Sequence, residues 1–180
     1  MKFKELKLKA CKAIEVDIFR DKRGVFHKTY NQDKFQEHGI EMEFKEQFFT
    51  CSNKNVLRGM HFQLPPHDQS KLITCLTGSV LDVFLDLRKN SATYGQTDSI
   101  ILSEDSGMSV FLPSGIAHGF LSLEDNTGMM YSTSSVYNSL SDSGVLWNSI
   151  DYSWPIKNPE ISDRDNKHLR FDQFNTPFIL

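Results

Sequence analysis

The chain has 180 residues, of which 39% are hydrophobic and 24% charged, and 14 Phe lead its aromatic content. That is the length of a single domain, residues 1–180, and so many aromatics exclude a disordered chain. A formal charge of -3 provides no basic field for nucleic acid, and the most apolar stretch, Val80 to Leu87, is broken by Asp82 and Asp86, which excludes a membrane-spanning segment.

The opening MKFKELKLKA is charged throughout and lacks the apolar stretch of a signal peptide. Alternation over Ala13 to Phe19 predicts a strand that ends in the turn Asp21-Lys22-Arg23-Gly24, with a second strand over Val25 to Tyr30. Polar spacing around Phe35, closed by Gly39, predicts one short helix over Asn31 to His38. Strands are expected at Phe44 to Ser52 and Val56 to Gln63, then a proline loop from Leu64 to Asp68. The pattern becomes denser at Leu72 to Leu76, Ser79 to Leu87, Thr97 to Leu102, Met108 to Leu112, Gly119 to Leu123 and Gly128 to Ser135. Within Ser79 to Leu87, Val80, Asp82 and Phe84 share one face. The tail from about Ser141, with Trp147 and Trp154, is expected to cover the sheet as turns and short helices. So many short strands with so little helix predict an all-β antiparallel sandwich, barrel or jelly roll with a few short peripheral helices.

Cys11, Cys51 and Cys75 are odd in number and widely spaced, so they are expected as free thiols in a reducing cytoplasm. Among the six histidines, His61 and His118 lie in strand-like runs beside glycines. A lone histidine in such a run is more often a satisfied core residue, but two of them near Arg58 and Lys71 suggest a site. Pro113-Ser114-Gly115-Ile116-Ala117-His118 resembles half of the cupin signature. The H-x-H pair of metal cupins falls on His61-Phe62-Gln63, and a primary amide is a poor transition-metal ligand, so no metal is expected. The competing reading is a metal cupin that uses His61, His118 and a carboxylate.

A more specific resemblance rests on Arg58-Gly59-Met60-His61-Phe62-Gln63, Ser70-Lys71-Leu72-Ile73, Gly78 to Arg88, Ser91 to Gly95, Pro113 to Phe120, Tyr131 with Tyr137, Trp147-Asn148, Trp154-Pro155 and Ser162-Asp163-Arg164-Asp165. In order and spacing these blocks are similar to the dTDP-4-dehydrorhamnose 3,5-epimerase family. The resemblance implies a cupin-type jelly roll, a homodimer, no cofactor, and a nucleotide-diphosphate-linked 4-keto-6-deoxy sugar as substrate. It implies His61 as the base, Asp165 as its carboxylate partner, Lys71 at the sugar ketone and Tyr131 as the acid on the opposite face. Tyr137 would stack on the nucleotide base, Arg23, Arg58 and Arg164 would meet the diphosphate, and His118 and Asp142 would contact substrate.

Departures from the family pattern lie on the nucleotide side: Lys28 and Glu46 stand where the family has glutamate and glutamine, and Phe48 replaces an asparagine. A donor-only Lys28 and an acceptor-only Glu46 in one pocket would suit cytosine better than thymine, so a CDP sugar is considered beside a dTDP sugar. Two other functions compete with C3 and/or C5 epimerisation: a ketoisomerase of the same fold, and a non-catalytic sugar-nucleotide-binding cupin.

Overall fold

A computed structural model describes all residues, 1–180. Its strands are β1 (Lys2–Glu5), β2 (Lys12–Glu15), β3 (Ile18–Asp21), β4 (Gly24–His27), β5 (Glu46–Ser52), β6 (Leu57–Gln63), β7 (Lys71–Thr77), β8 (Ser79–Asp86), β9 (Thr97–Ser103), β10 (Met108–Leu112), β11 (Ile116–Ser122), β12 (Thr127–Thr133) and β13 (Asp142–Gly144). A single helix, α1 (Gln32–Glu37), follows β4, and three 3₁₀ turns punctuate the tail.

The strands form two antiparallel sheets in the orders β1-β2-β10-β7-β12-β5 and β13-β6-β11-β8-β9, while β3 and β4 pair only with each other. The predicted jelly-roll sandwich is observed. Each sheet turns one face inward, where Ile73, Cys75, Val110 and Met129 of the first meet Val80, Phe84, Ile116 and Phe120 of the second. Phe84 and Phe120 are essentially inaccessible, and each such ring contributes about 2–3 kcal/mol by leaving water.

The outer faces are also covered. Phe35 of α1, with Ile40, packs on Ile14, Leu72 and Phe111, and the tail brings Val145, Ile150 and Phe178 onto Val83, Leu85 and Ala117. Burial on both faces is why β8 and β11 read as nearly continuous apolar runs. The acids that interrupt β8 are both partnered. Asp86 accepts from Arg88 Nε at 2.8 Å and from the Ser91 and Thr93 hydroxyls at 2.6 Å, while Asp82 faces His118.

Helix α1 starts as predicted. Asn31 Oδ1 accepts the Lys34 N–H at 3.0 Å, and Gly39 leaves the helix at φ +72°. Three elements differ from the sequence expectation. The strand expected over Ala13 to Phe19 is two strands, β2 and β3, which separate at Val16-Asp17 and enter different sheets. The charged opening contains β1, an edge strand whose lysines face water. The tail adds a strand, β13, to the edge of the second sheet.

Candidate active site

Two glycines set the geometry of the site. A Cβ on Gly59 would stand 2.5 Å from the Gly119 Cα, and one on Gly119 would stand 2.9 Å from the Arg58 carbonyl oxygen. Only glycine lets β6 and β11 approach this closely, and the register shifts between His118 and Phe120 where they do. His61 and His118 are thereby paired across the two strands.

Both histidines line a cavity of about 370 Å³ that opens between the sheets. Glu46, Phe48 and Thr50 of β5, Lys71 of β7 and Tyr131 of β12 enter it from the first sheet, and Arg58 and His61 of β6 and His118 of β11 enter from the second. Tyr137, Asp142 and Arg164 complete the wall with Gln63 and Gln69. Lys71 and Tyr131 occupy the same pleated rows as the core residues Ile73 and Met129, so the site is the polar end of the hydrophobic layer.

Asp165 stands behind His61. Its Oδ1 is 2.9 Å from His61 Nε2, and its Oδ2 accepts the Gly59 N–H at 3.1 Å. Arg164 also approaches: Nη2 is 2.9 Å from the same His61 Nε2, Nε is 3.2 Å from Asp165 and Nη1 is 2.6 Å from Asp142. One ring nitrogen cannot both donate to Asp165 and accept from Arg164. Arg164 has two other carboxylate partners, whereas the Asp165 oxygen requires a donor, so we assign the proton to Nε2. Nδ1 then carries the basic lone pair. Burial lowers the His61 pKa, and Lys71 and Arg164 add to that, against the opposing pull of Asp165. Burial pushes the Asp165 carboxyl up, but the bonds from His61, Gly59 and Arg164 outweigh it and hold the group far below the ordinary carboxylate range.

Lys71 is buried and donates from Nζ to the His61 carbonyl at 3.1 Å. Loss of hydration lowers its pKa to about 8, against the raising influence of Asp142 and Asp82. Tyr131 is buried as well, and desolvation raises its phenol well above the usual value. Its ring stacks on Phe48 with centroids 4.7 Å apart and planes 12° from parallel, and meets His118 edge-on at 5.7 Å. His118 Nε2 lies 2.8 Å from Asp82, so the two histidines face separate carboxylates. Gln63 is a brace: Oε1 accepts the Asn138 N–H at 2.6 Å, and Nε2 donates to the His67 and Val136 carbonyls, which secures the loop carrying Tyr137.

Of the residues singled out from sequence, His61, Lys71, Tyr131, Glu46, Arg58, His118, Tyr137, Asp142 and Arg164 line the cavity, with Asp165 directly behind it. Arg23 and Lys28 do not. Arg23 lies at the β3–β4 turn, fully in solvent and bonded to Asp21, and Lys28 lines a separate depression with Phe26 and Asn31. Within one chain, therefore, Lys28 and Glu46 do not share a pocket, and the reversed polarity expected to favour cytosine is not formed. Glu46 instead accepts the Tyr137 N–H. Sequence reading missed Asp82 as the partner of His118 and missed His168 altogether. A carboxylate on the core face of β8 is the signal for the first, since such a group needs a partner; His168 carries no such signal.

The model for dTDP-4-dehydrorhamnose 3,5-epimerase matches residues 5–173. The chain belongs to the dTDP-4-dehydrorhamnose 3,5-epimerase family. This is an isomerase family of sugar-nucleotide epimerases in deoxysugar biosynthesis. The chain is 39% identical over 160 residues to the dTDP-4-dehydrorhamnose 3,5-epimerase of Shigella flexneri, covering 87% of this chain and 88% of the relative. In structure it is similar to an epimerase from Legionella pneumophila in complex with dTDP-4-keto-L-rhamnose, with a TM-score of 0.94, 28% identity and coverage of 99% and 98% of the two chains. It also resembles a 3'-monoepimerase from Streptomyces bikiniensis in complex with dTDP-quinovose, with a TM-score of 0.85, 28% identity and coverage of 91% and 85%. No helix is long and apolar enough to cross a membrane.

Proposed function

We propose that this epimerase acts on a dTDP-linked 4-keto-6-deoxy sugar, inverting C3, C5 or both, with His61 as base, Lys71 as enolate stabiliser and Tyr131 as acid. The observation that carries this reading is a base and a phenol entering one cavity from opposite sheets, with a buried ammonium beside the base. A C–H next to a ketone is acidic because its carbanion delocalises onto oxygen. His61 Nδ1 takes that proton, and Asp165 holds the ring and stabilises the imidazolium. Lys71 Nζ neutralises the growing charge on the C4 oxygen. Tyr131 returns a proton to the other face of the carbon, and its raised pKa keeps the phenol protonated until a strongly basic carbanion is present.

Arg58 and Arg164 suit the diphosphate, Tyr137 the face of the base, and Glu46, His118 and Asp142 the polar edges of the substrate. The ligands of the similar structures favour dTDP over CDP. We further infer a homodimer in which the β3–β4 hairpin of one protomer brings Arg23 and Lys28 to its partner's cavity. In support, the hairpin pairs with no other strand and exposes Phe19 and Phe26 at 63% and 61%. Three free cysteines fit a reducing cytoplasm.

The test is solvent deuterium incorporation at C3 and C5, read by NMR. His61→Asn is expected to abolish incorporation and Tyr131→Phe to abolish inversion, while both variants bind dTDP like the wild type. Unchanged incorporation in His61→Asn would sink the mechanism, and the positions labelled in the wild type give the regiochemistry.

A further inference from the structure

His168 lies at the end of the 3₁₀ turn Asp165–Lys167, outside the cavity lining and with no part in the reaction described above. Its Nε2 is buried and has no hydrogen-bond partner. Such an orphaned group costs stability unless something binds it. It stands 3.7 Å from Asp165 Oδ1, which is itself 2.9 Å from His61 Nε2, and the three ligating atoms lie within 4.8 Å of one another. The two rings meet edge-on, with centroids 5.8 Å apart.

We propose that His61, Asp165 and His168 form an inhibitory binding site for a borderline divalent transition ion, with zinc the best fit. Zinc takes imidazole nitrogen and carboxylate oxygen at about 2.0–2.2 Å in a tetrahedron, which separates neighbouring donors by about 3.3 Å. The observed 2.9 and 3.7 Å bracket that spacing. Two imidazoles and one carboxylate are also the donor types that zinc prefers over calcium or magnesium. Room for the second imidazole comes from β13. Gly144 pairs with His61, and a Cβ there would stand 2.5 Å from His168 Nε2. The fourth position lies towards Arg164, whose half-exposed guanidinium approaches His61 Nε2 and would have to give up that contact and the one to Asp165 while keeping its ion pair with Asp142.

The inhibition follows from the imidazole's two nitrogens and rests on the reading of His61 as the base. The ion takes the Nε2 lone pair, and the ring proton moves to Nδ1. The lone pair that would remove the substrate proton is then gone, and Asp165 is diverted from the imidazole to the ion. The site thus couples transition-metal availability to epimerisation.

The probe is Co²⁺ titrated into metal-stripped protein, followed by visible absorption, with Zn²⁺ competition measured calorimetrically. The expected result is the intense d–d absorption of a four- or five-coordinate ion, displacement by zinc at one equivalent, and loss of deuterium incorporation in step with occupancy. His168→Gln is expected to weaken zinc binding on the order of tenfold or more while metal-free exchange proceeds as in the wild type. Arg164→Gln is expected to tighten zinc binding, because a competing cation is removed. Unaltered zinc affinity in His168→Gln, or weak octahedral-type cobalt spectra, would overturn the proposal. So would exchange that dies on chelation and returns with zinc, which would also overturn the metal-free mechanism. Loss of exchange in His61→Asn with no zinc effect in the wild type would remove the site and leave the mechanism standing.

Discussion

Lys71 shows most directly how one residue trades stability for chemistry. An ammonium in a buried site has lost its water, and its only hydrogen bond recovers part of that loss. Its pKa falls from 10.5 to about 8. Above pH 10.5 the lysine is neutral in both folded and unfolded chains, and no penalty exists. As pH falls from 10.5 to about 8 the unfolded chain takes the proton first, so stability declines, and below about 8 the full penalty stands. At pH 7 that penalty is about 3 kcal/mol. Lys71→Met is therefore expected to be more stable than the wild type at pH 7 by about 1–3 kcal/mol in urea unfolding, with the advantage vanishing above pH 10.5. The same variant is expected to lose a factor of about 10²–10³ in kcat. In the wild type, kcat/KM falls as pH rises through about 8, because the charged form of Lys71 is the active one. It falls again on the acid side, where His61 takes a proton and ceases to be a base, and this limb lies below the ordinary histidine value because burial depresses the pKa.

Among the elements, the approach of β6 to β11 governs the site. Both strands carry a histidine, and both are locked by a glycine with no space above it. A methyl group on Gly119 would meet Met60 Sδ at 2.7 Å and the Arg58 carbonyl at 2.9 Å, and backbone cannot yield as a side-chain tip can. Gly119→Ala is expected to cost about 1–3 kcal/mol, seen as a lower Tm, and to reduce kcat/KM by displacing His61 from His118. A variant as stable and active as the wild type would show that the strands are not held at this spacing. These glycines were visible in sequence as Arg58-Gly59-Met60-His61 and His118-Gly119-Phe120, but not as partners. Their sequence separation hides a contact that only the sheet order creates. Gly144 is similar: it is an ordinary residue of a polar tail until β13 pairs with β6 and His168 folds over it.

At the scale of the whole molecule, the β3–β4 hairpin is the part that the single chain leaves unused. It makes its own two-stranded sheet, and Phe19 and Phe26, with Val25 between them in sequence, are exposed to water. Such a patch is costly unless another surface covers it. Sedimentation is expected to give a dimer for the wild type, whereas Phe19→Ser with Phe26→Ser is expected to sediment as a monomer with a raised KM. Arg23→Ala is expected to leave the dimer intact and to weaken dTDP binding by roughly tenfold, the loss of one charge-assisted contact. A monomeric wild type with full activity would refute the shared site.

Most strand positions, the single helix and the all-β antiparallel class were readable from the sequence, because alternation, turn residues and glycine caps act within a few residues of one another, whereas most cavity residues came from the resemblance of the ordered blocks. The resemblance of the ordered blocks supplied the reaction class, which matches the family to which the chain belongs. Three matters were decided by the tertiary structure alone. Within one chain it separated Lys28 from Glu46, it split the expected strand at Val16-Asp17 between two sheets, and it brought His168 beside Asp165 and His61. Each depends on which distant segments become neighbours. Local periodicity carries no information about that, because sheet order is set by the packing of whole faces and not by the residues adjacent in the chain.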